Sequence, residues 1–134
     1  MLVSAGCSTF HHDWKQAGSI SPPLDIQGRW EGTWMSQPSG HADKLRCLVE
    51  KISEQSYRAR FDSTYKRVFH FKSTVVLNGA EDAGNFHFEG EAKLPWWAGG
   101  VYHYKGSASA TNFFSTYRSK YDHGTFQMTR PTAP

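Results

Sequence analysis

The stretch that decides the fold is SYRARFD, residues 56–62, in which apolar and polar side chains alternate one by one. In an extended chain Tyr57, Ala59 and Phe61 would share one face, and the charged residues between them would share the other, because successive side chains of a β-strand point to opposite sides. This alternation is typical of a strand that has one buried face and one solvated face.

The same alternation recurs from Asp25 onward, and turn-forming residues such as Pro38–Gly40 and Asn78–Gly79 interrupt it every 8–12 residues or so. No segment of about twelve residues carries the apolar stripe of an amphipathic helix, so this part of the sequence predicts no helix. Short connections favour antiparallel neighbours. The predicted strands cover residues 27–36, 43–53, 56–62, 65–72, 75–77, 85–92, 100–109, 112–119 and 122–129.

Consecutive antiparallel strands leave two exposed edges unless the sheet closes on itself. We therefore predict an all-β fold for residues 25–134, in which an antiparallel up-and-down meander closes into a small barrel of eight or nine strands. A twisted open half-barrel and a sandwich are the alternatives.

The composition supports one folded domain with an aromatic core. The chain has 134 residues, of which nine are Phe, six Tyr and five Trp, and aromatic side chains are enriched in strands. A net charge of +3 is too small to indicate a nucleic-acid partner. No phosphate-binding loop, nucleophile elbow or zinc motif is present, and the two cysteines alone make no metal site. We expect no metal and no cofactor.

The chain opens with MLVSAGCS, residues 1–8, which resembles the lipobox of bacterial lipoproteins. The resemblance implies lipidation of Cys7, with residues 1–6 as the remnant of a signal peptide. Residues 7–24 are rich in Ser, Gly and Pro and are interpreted as a flexible tether. The expected location is the bacterial envelope, periplasmic or at the cell surface, with a lipid anchor in the membrane. The alternative is that Cys7 is an ordinary cysteine.

Gly28-Arg29-Trp30 resembles the G-x-W signature of lipocalins. In that family the tryptophan closes one end of the barrel and packs near a late arginine. The resemblance implies that Trp30 has this place here and that Arg118 or Arg130 is the arginine.

A second resemblance is to the avidins. GTWMSQ, residues 32–37, is similar to their opening strand, and DHGTF, residues 122–126, is similar to their closing strand. This resemblance implies a pocket near Trp34, Ser36, Phe61 and Asp122. Both resemblances point to a calycin-like barrel.

The face of each predicted strand that carries rings is expected to point inward, including Phe69 and Phe71 of the fourth strand. Such a face lines either an apolar pocket with a few hydroxyls or a solid core. The residues expected to contact a ligand are Trp30, Trp34, Phe61, Tyr102, Tyr104, Tyr117, Asp122 and Phe126.

Trp96 and Trp97 lie in a loop between Pro95 and Gly99. They are interpreted as a gate at the mouth of the barrel. A plug of the barrel end and a contact with a partner or a lipid surface are the other interpretations.

The sequence therefore predicts a non-enzymatic envelope lipoprotein whose barrel holds a small apolar or amphipathic ligand. One alternative is a barrel-type isomerase, cyclase or hydratase acting through Tyr102, Asp122 or His123. Another is a structural or interaction protein with a filled core. His87 and His103 are expected to be ordinary surface histidines on the outer face, and a pairing of the two across neighbouring strands is the alternative.

Overall fold

The computed structural model describes residues 7–18, 25–95 and 99–132. In that part of the chain eight strands form a closed barrel, each pairing antiparallel with its sequence neighbour while the last strand pairs with the first. The predicted all-β meander is confirmed. Its elements are α1 (Cys7–Ala17), β1 (Gly28–Ser36), β2 (Ala42–Ser53), β3 (Ser56–Tyr65), β4 (Phe69–Asp82), β5 (Asn85–Lys93), β6 (Val101–Ala108), β7 (Asn112–Arg118) and β8 (His123–Thr129).

Closure of the barrel brings β1 very near β8. Gly32 pairs with Met128 there, and a Cβ atom at Gly32 would collide with the backbone carbonyl of Gln127. Only glycine permits this approach. The inner face of β1 therefore has a glycine, Gly32, between Trp30 and Trp34.

The predicted fourth and fifth strands form a single strand, β4. Ser73 and Thr74, which lie between the two predicted strands, pair regularly with Phe61 and Arg60 of β3. The prediction that Phe69 points into the core was wrong, because 61% of this residue is exposed. Phe69 is the first residue of β4, beside the turn, and it lies beyond the enclosed part of the barrel.

One end of the barrel is sealed. The buried Trp30 packs edge-to-face on Phe113 with ring centroids 5.4 Å apart, and its indole N–H donates to the carbonyl of Ile26 over 2.8 Å. The guanidinium carbon of Arg130 lies 3.9 Å from the centre of the Trp30 ring. Arg130 also donates to the backbone carbonyls of Asp25, Gln27, Arg29 and Ala110. The arginine beside Trp30 is thus Arg130 and not Arg118.

A helix was not expected in the predicted tether. Phe10 and Trp14, four residues apart on one face of α1, are buried on the outer wall of the barrel beside Leu48. Asp13 adds an ion pair with Arg60 at 2.9 Å. The tether interpretation therefore needs correction for α1. Residues 19–24 and the predicted signal remnant, residues 1–6, lie outside the described residues.

The direction of α1 along the wall follows from its contacts. Phe10 has the Lys72 ammonium 5.6 Å from its ring, at the start of β4. Trp14 has the Arg29 guanidinium 5.2 Å from its ring, at the start of β1. Since Arg29 lies at the sealed end and β4 starts at the opposite end, α1 runs with its amino end toward the unsealed side. No helix in the described ranges combines the length and apolar character that a membrane span requires.

Candidate functional site

The unsealed end of the barrel contains a cavity of about 1250 Å³. The turns between β1 and β2, β3 and β4, β5 and β6, and β7 and β8 all lie at this end. The walls are mainly aromatic, with hydroxyls and basic groups near the mouth. The described lining residues are Trp34, Leu45, Phe61, Ser63, Thr64, Tyr65, Phe71, Ser73, Leu94, Gly99, Gly100, Val101, Tyr102, His103, Tyr104, Tyr117, Arg118, Ser119, Lys120, Tyr121, Asp122 and Phe126.

A layer of rings separates the cavity from the filled half of the barrel. Phe61 and Tyr104 stack with an interplanar angle of 13° and centroids 6.0 Å apart. Phe126 meets both rings edge-on, at 5.4 Å and 6.0 Å. On its other side, Phe126 stacks on Phe113, which contacts Trp30. This layer is the floor on which an apolar group would rest.

Two hydroxyls and a carboxylate are joined on one side of the cavity. The hydroxyl of Ser36 donates to Asp122 over 2.6 Å, and the hydroxyl of Tyr117 donates to the other carboxylate oxygen over 3.1 Å. Burial, followed by the Asp122 charge, raises the pKa of Tyr117 above its ordinary value. Tyr117 thus keeps its proton near pH 7 and donates a hydrogen bond to Asp122, so its oxygen is left to accept a hydrogen bond.

Tyr104 is a second protonated hydroxyl, deeper in the cavity. Burial raises the pKa of Tyr104 above its ordinary value, and the neighbouring Tyr102 adds to this effect. An interaction with the Ser73 hydroxyl acts in the opposite direction and lowers the pKa of Tyr104, but burial outweighs it. A phenol of this kind can orient a polar ligand atom without ionising.

The rim of the cavity is aromatic on one side. The indole N–H of Trp34 donates to the backbone carbonyl of Thr64 over 3.0 Å, which fixes the ring across the mouth. Trp34 stacks with Tyr65 at 6.4 Å and with His41 at 6.5 Å. These contacts hold the three rings together at the entrance.

The open end of the barrel is basic. In the described turns of this end and the adjoining ends of its strands, the carboxylates are Asp43, Asp62, Glu91 and Asp122. Asp62 pairs with Lys72 at 3.1 Å, and Asp122 already accepts the two hydroxyls described above. Basic side chains at this end outnumber the carboxylates. They are Lys44, Lys66, Arg67, Lys72, Lys93, Arg118 and Lys120.

The structure brings together all of the predicted ligand-contacting residues except Trp30. Trp30 lies four residues before Trp34 on the same inner face of β1, which places it at the sealed end. Trp96 and Trp97 lie outside the described residues, although the flanking Leu94 and Gly99 line the mouth.

Sequence reasoning missed Ser63 and Ser73, which also line the cavity. The sequence did contain the pattern that identifies them. Ser63 lies two residues after the inward Phe61, and Ser73 lies two residues after the inward Phe71. Side chains on one face of a strand repeat every two residues. The prediction of inward positions rested on the residues that carry rings, so it did not include these two serines. Ser63 and Ser73 line the hollow section, whereas the inward Ser115 of β7 is fully buried and donates to backbone carbonyls.

Among the described residues no group of three or more His, Cys, Asp and Glu is gathered as a metal site would require. The alternative that pairs His87 with His103 is wrong: His87 faces Ser107, while His103 lies 3.5 Å from the carboxylate of Glu91. Cys47 is a buried free thiol, and burial raises its pKa.

Comparison with known proteins gives similarity in structure only. No family model and no curated protein matches the chain. A redesigned β-barrel, mFAP1, whose structure was determined with DFHBI bound, matches with a TM-score of 0.59 at 13% identity, over 78% of this chain and 94% of that one. A second redesigned barrel, b11L5F_LGL, gives a TM-score of 0.60 at 12% identity, over 79% and 91%. A fluorescence-activating β-barrel designed de novo gives 0.57 at 12%, over 84% and 100%. At these identities the likeness establishes the fold: the chain is a closed, eight-stranded antiparallel β-barrel.

Proposed function

We propose that the protein binds a small amphipathic molecule at the open end of the barrel. The observation that carries the proposal is the aromatic cavity of about 1250 Å³, which follows a sealed and fully packed half in the same barrel. Ligand sites have this composition: mostly apolar walls with a few fixed polar groups. A barrel with only a structural role would need packed side chains at both ends.

The charge at the mouth favours a ligand with an anionic head. Arg118 and Lys120 line the entrance, whereas the Asp122 carboxylate is held by two hydroxyls. The apolar body of the ligand would lie on Phe61 and Phe126, and its head would remain at the basic rim. Because mFAP1 was determined with the small molecule DFHBI bound, a barrel of this architecture is compatible with such a role.

The test uses the anionic dye anilinonaphthalene sulfonate, together with native mass spectrometry of the purified protein. Ser63→Trp places a large ring in the cavity and is expected to weaken dye binding by about tenfold or more, since it removes apolar contact area. Gln127→Trp is the matched control, because this residue is exposed on the outer face of β8. Saturable dye binding that only Ser63→Trp reduces would support the proposal. A protein that carries no ligand and binds no dye would refute it.

For the location we propose the bacterial envelope, with a lipid on Cys7. The support is the lipobox resemblance at residues 1–8 and the position of Cys7 at the start of α1. Cells fed labelled palmitate should label the protein, and Cys7→Ala should lose the label. An unlabelled parent chain would remove this part of the proposal.

A further inference from the structure

We propose that the rim around the mouth is a docking surface for an anionic lipid bilayer. The inference goes beyond ligand binding and does not require an occupied cavity. It rests on three observations: where the exposed apolar side chains lie, what charge accompanies them, and the backbone conformation of the turn that carries Val68.

The large exposed apolar side chains concentrate at the open end. In the turn between β3 and β4, Val68 is 70% exposed, and Phe69, the first residue of β4, is 61% exposed. In the turn between β7 and β8, Tyr121 is 72% exposed. The others at this end are Met35, Tyr65 and Val101, while Ile52, Val76 and Phe114 lie elsewhere on the described barrel. An apolar fringe around a cavity mouth marks a surface that contacts another molecule or a membrane.

The charges beside these apolar side chains favour a membrane as the contacted surface. Lys66 and Arg67 precede Val68 in one turn, and Lys120 precedes Tyr121 in the other. Basic groups beside exposed rings match the interface of a bilayer, where cations meet anionic headgroups and rings enter the acyl boundary. At the sealed end, which would face away from the lipid, Glu54 lies in the turn between β2 and β3, and Glu81 and Asp82 lie at the end of β4.

The backbone of the β3–β4 turn indicates that its sequence serves something other than folding. Lys66 and Arg67 have φ angles of 52° and 67°, a left-handed conformation that side chains with a Cβ atom adopt at a cost. Asn-Gly is the usual choice for such positions in hairpins. Two long cations are held there instead, in the turn that also carries the exposed Val68.

The helix α1 is consistent with the same orientation. Its amino end is directed toward the open side of the barrel, as shown by the contacts of Phe10 with Lys72 and of Trp14 with Arg29. An acyl chain on Cys7, as proposed above, would therefore enter the bilayer from the side on which the mouth lies.

The test is co-sedimentation of the full chain with lipid vesicles. The Cys7→Ser protein is used so that no acyl chain can contribute. It should bind vesicles of phosphatidylglycerol and should not bind vesicles of phosphatidylcholine, and added salt should weaken the binding. Equal binding to both vesicles, or binding to neither, would overturn the proposal.

Two pairs of variants locate the surface. Lys66→Asn combined with Arg67→Gly keeps a favourable hairpin turn and should weaken vesicle binding about 30-fold, whereas Lys51→Gln with Lys105→Gln, which removes the same charge away from the mouth, should weaken it far less. Val68→Ser with Phe69→Ser should weaken binding about tenfold or more, and Phe114→Ser on the barrel wall should not.

The competing occupant of the rim is a second copy of the chain. Sedimentation equilibrium of the Cys7→Ser protein distinguishes the two. A monomer supports the lipid surface, and a dimer that Val68→Ser with Phe69→Ser dissociates would overturn it. None of the substituted rim residues lines the cavity. Dye binding that persists while vesicle binding is absent would therefore refute this inference alone and leave the proposed function standing.

Discussion

Arg130 joins the chain segment before β1 to the turn between β6 and β7. Its guanidinium covers Trp30 and donates to the carbonyls of Asp25, Gln27, Arg29 and Ala110. Because one side chain serves several carbonyl groups, its loss leaves all of them without that donor. The sealing of this end therefore depends on a single residue near the end of the chain.

The first prediction concerns that residue. Arg130→Met retains an apolar stem over Trp30 but removes every donor, and it should lower the free energy of unfolding by about 2–4 kcal/mol in urea denaturation. Arg118→Met, at the exposed mouth, should change it by less than about 0.5 kcal/mol. If the two variants are equally stable, Arg130 does not hold the sealed end.

The second prediction at the residue scale concerns Asp62. It is buried on the outer wall among Arg46, His70 and Lys72. Burial acts to raise its pKa, but the hydrogen bonds from these three residues outweigh burial and hold the pKa of Asp62 below its ordinary value.

A carboxyl group with a lowered pKa in the folded state stabilises the fold above its unfolded pKa of about 4, and this stabilisation is lost as the pH falls through the lower, folded value. Asp62→Asn should therefore be less stable than the parent near pH 7 and approach it below about pH 4. Urea denaturation at both pH values measures this. Glu50→Gln, in an exposed ion pair, should show little difference at either pH, and a gap for Asp62→Asn that is independent of pH would contradict the assignment.

At the scale of elements, the two cations in the turn between β3 and β4 lower the stability of the fold. Lys66 and Arg67 both have a left-handed φ. Lys66→Asn with Arg67→Gly should raise the free energy of unfolding by about 1 kcal/mol, because these residues adopt that conformation more readily. Ala83→Gly, at a φ of 53° in a turn at the sealed end, should stabilise similarly without changing vesicle binding. A loss of stability in the double variant would show that the turn is not strained.

The elements also show how far the sequence alone could lead. Alternation such as that of residues 56–62 predicted the strands, their order and most inward positions, because a period of two is enforced wherever one face is buried. The same alternation predicted that Phe61, Tyr104, Tyr117 and Phe126 lie together inside the barrel. It could not find the helix α1, because Phe10, Trp14 and Ala17 make only a short apolar stripe, and their burial depends on a wall that forms from distant residues.

On the scale of the whole molecule, the barrel is built from two unlike halves. The sealed half packs Trp30, Phe113 and Met128 into a continuous core, with Glu54 in one of its turns and Glu81 and Asp82 at the end of β4. The open half has an aromatic floor, protonated hydroxyls and a basic, partly apolar rim. The difference between the two halves cannot be read from any single strand, because it arises only when all the turns of one end come together. For this reason the sequence left open whether the barrel is hollow or solid.

The two indole N–H groups of Trp30 and Trp34 report on these halves separately. Trp30 donates to Ile26 at the sealed end, and Trp34 donates to Thr64 at the mouth. A nuclear magnetic resonance titration of the ¹⁵N-labelled protein with laurate, a small anionic amphipath, tests the central claim most directly. We expect the Trp34 indole signal to shift in a saturable way while the Trp30 signal stays in place. A Trp34 signal that does not move, or a Trp30 signal that moves as far, would contradict a ligand site confined to the open end.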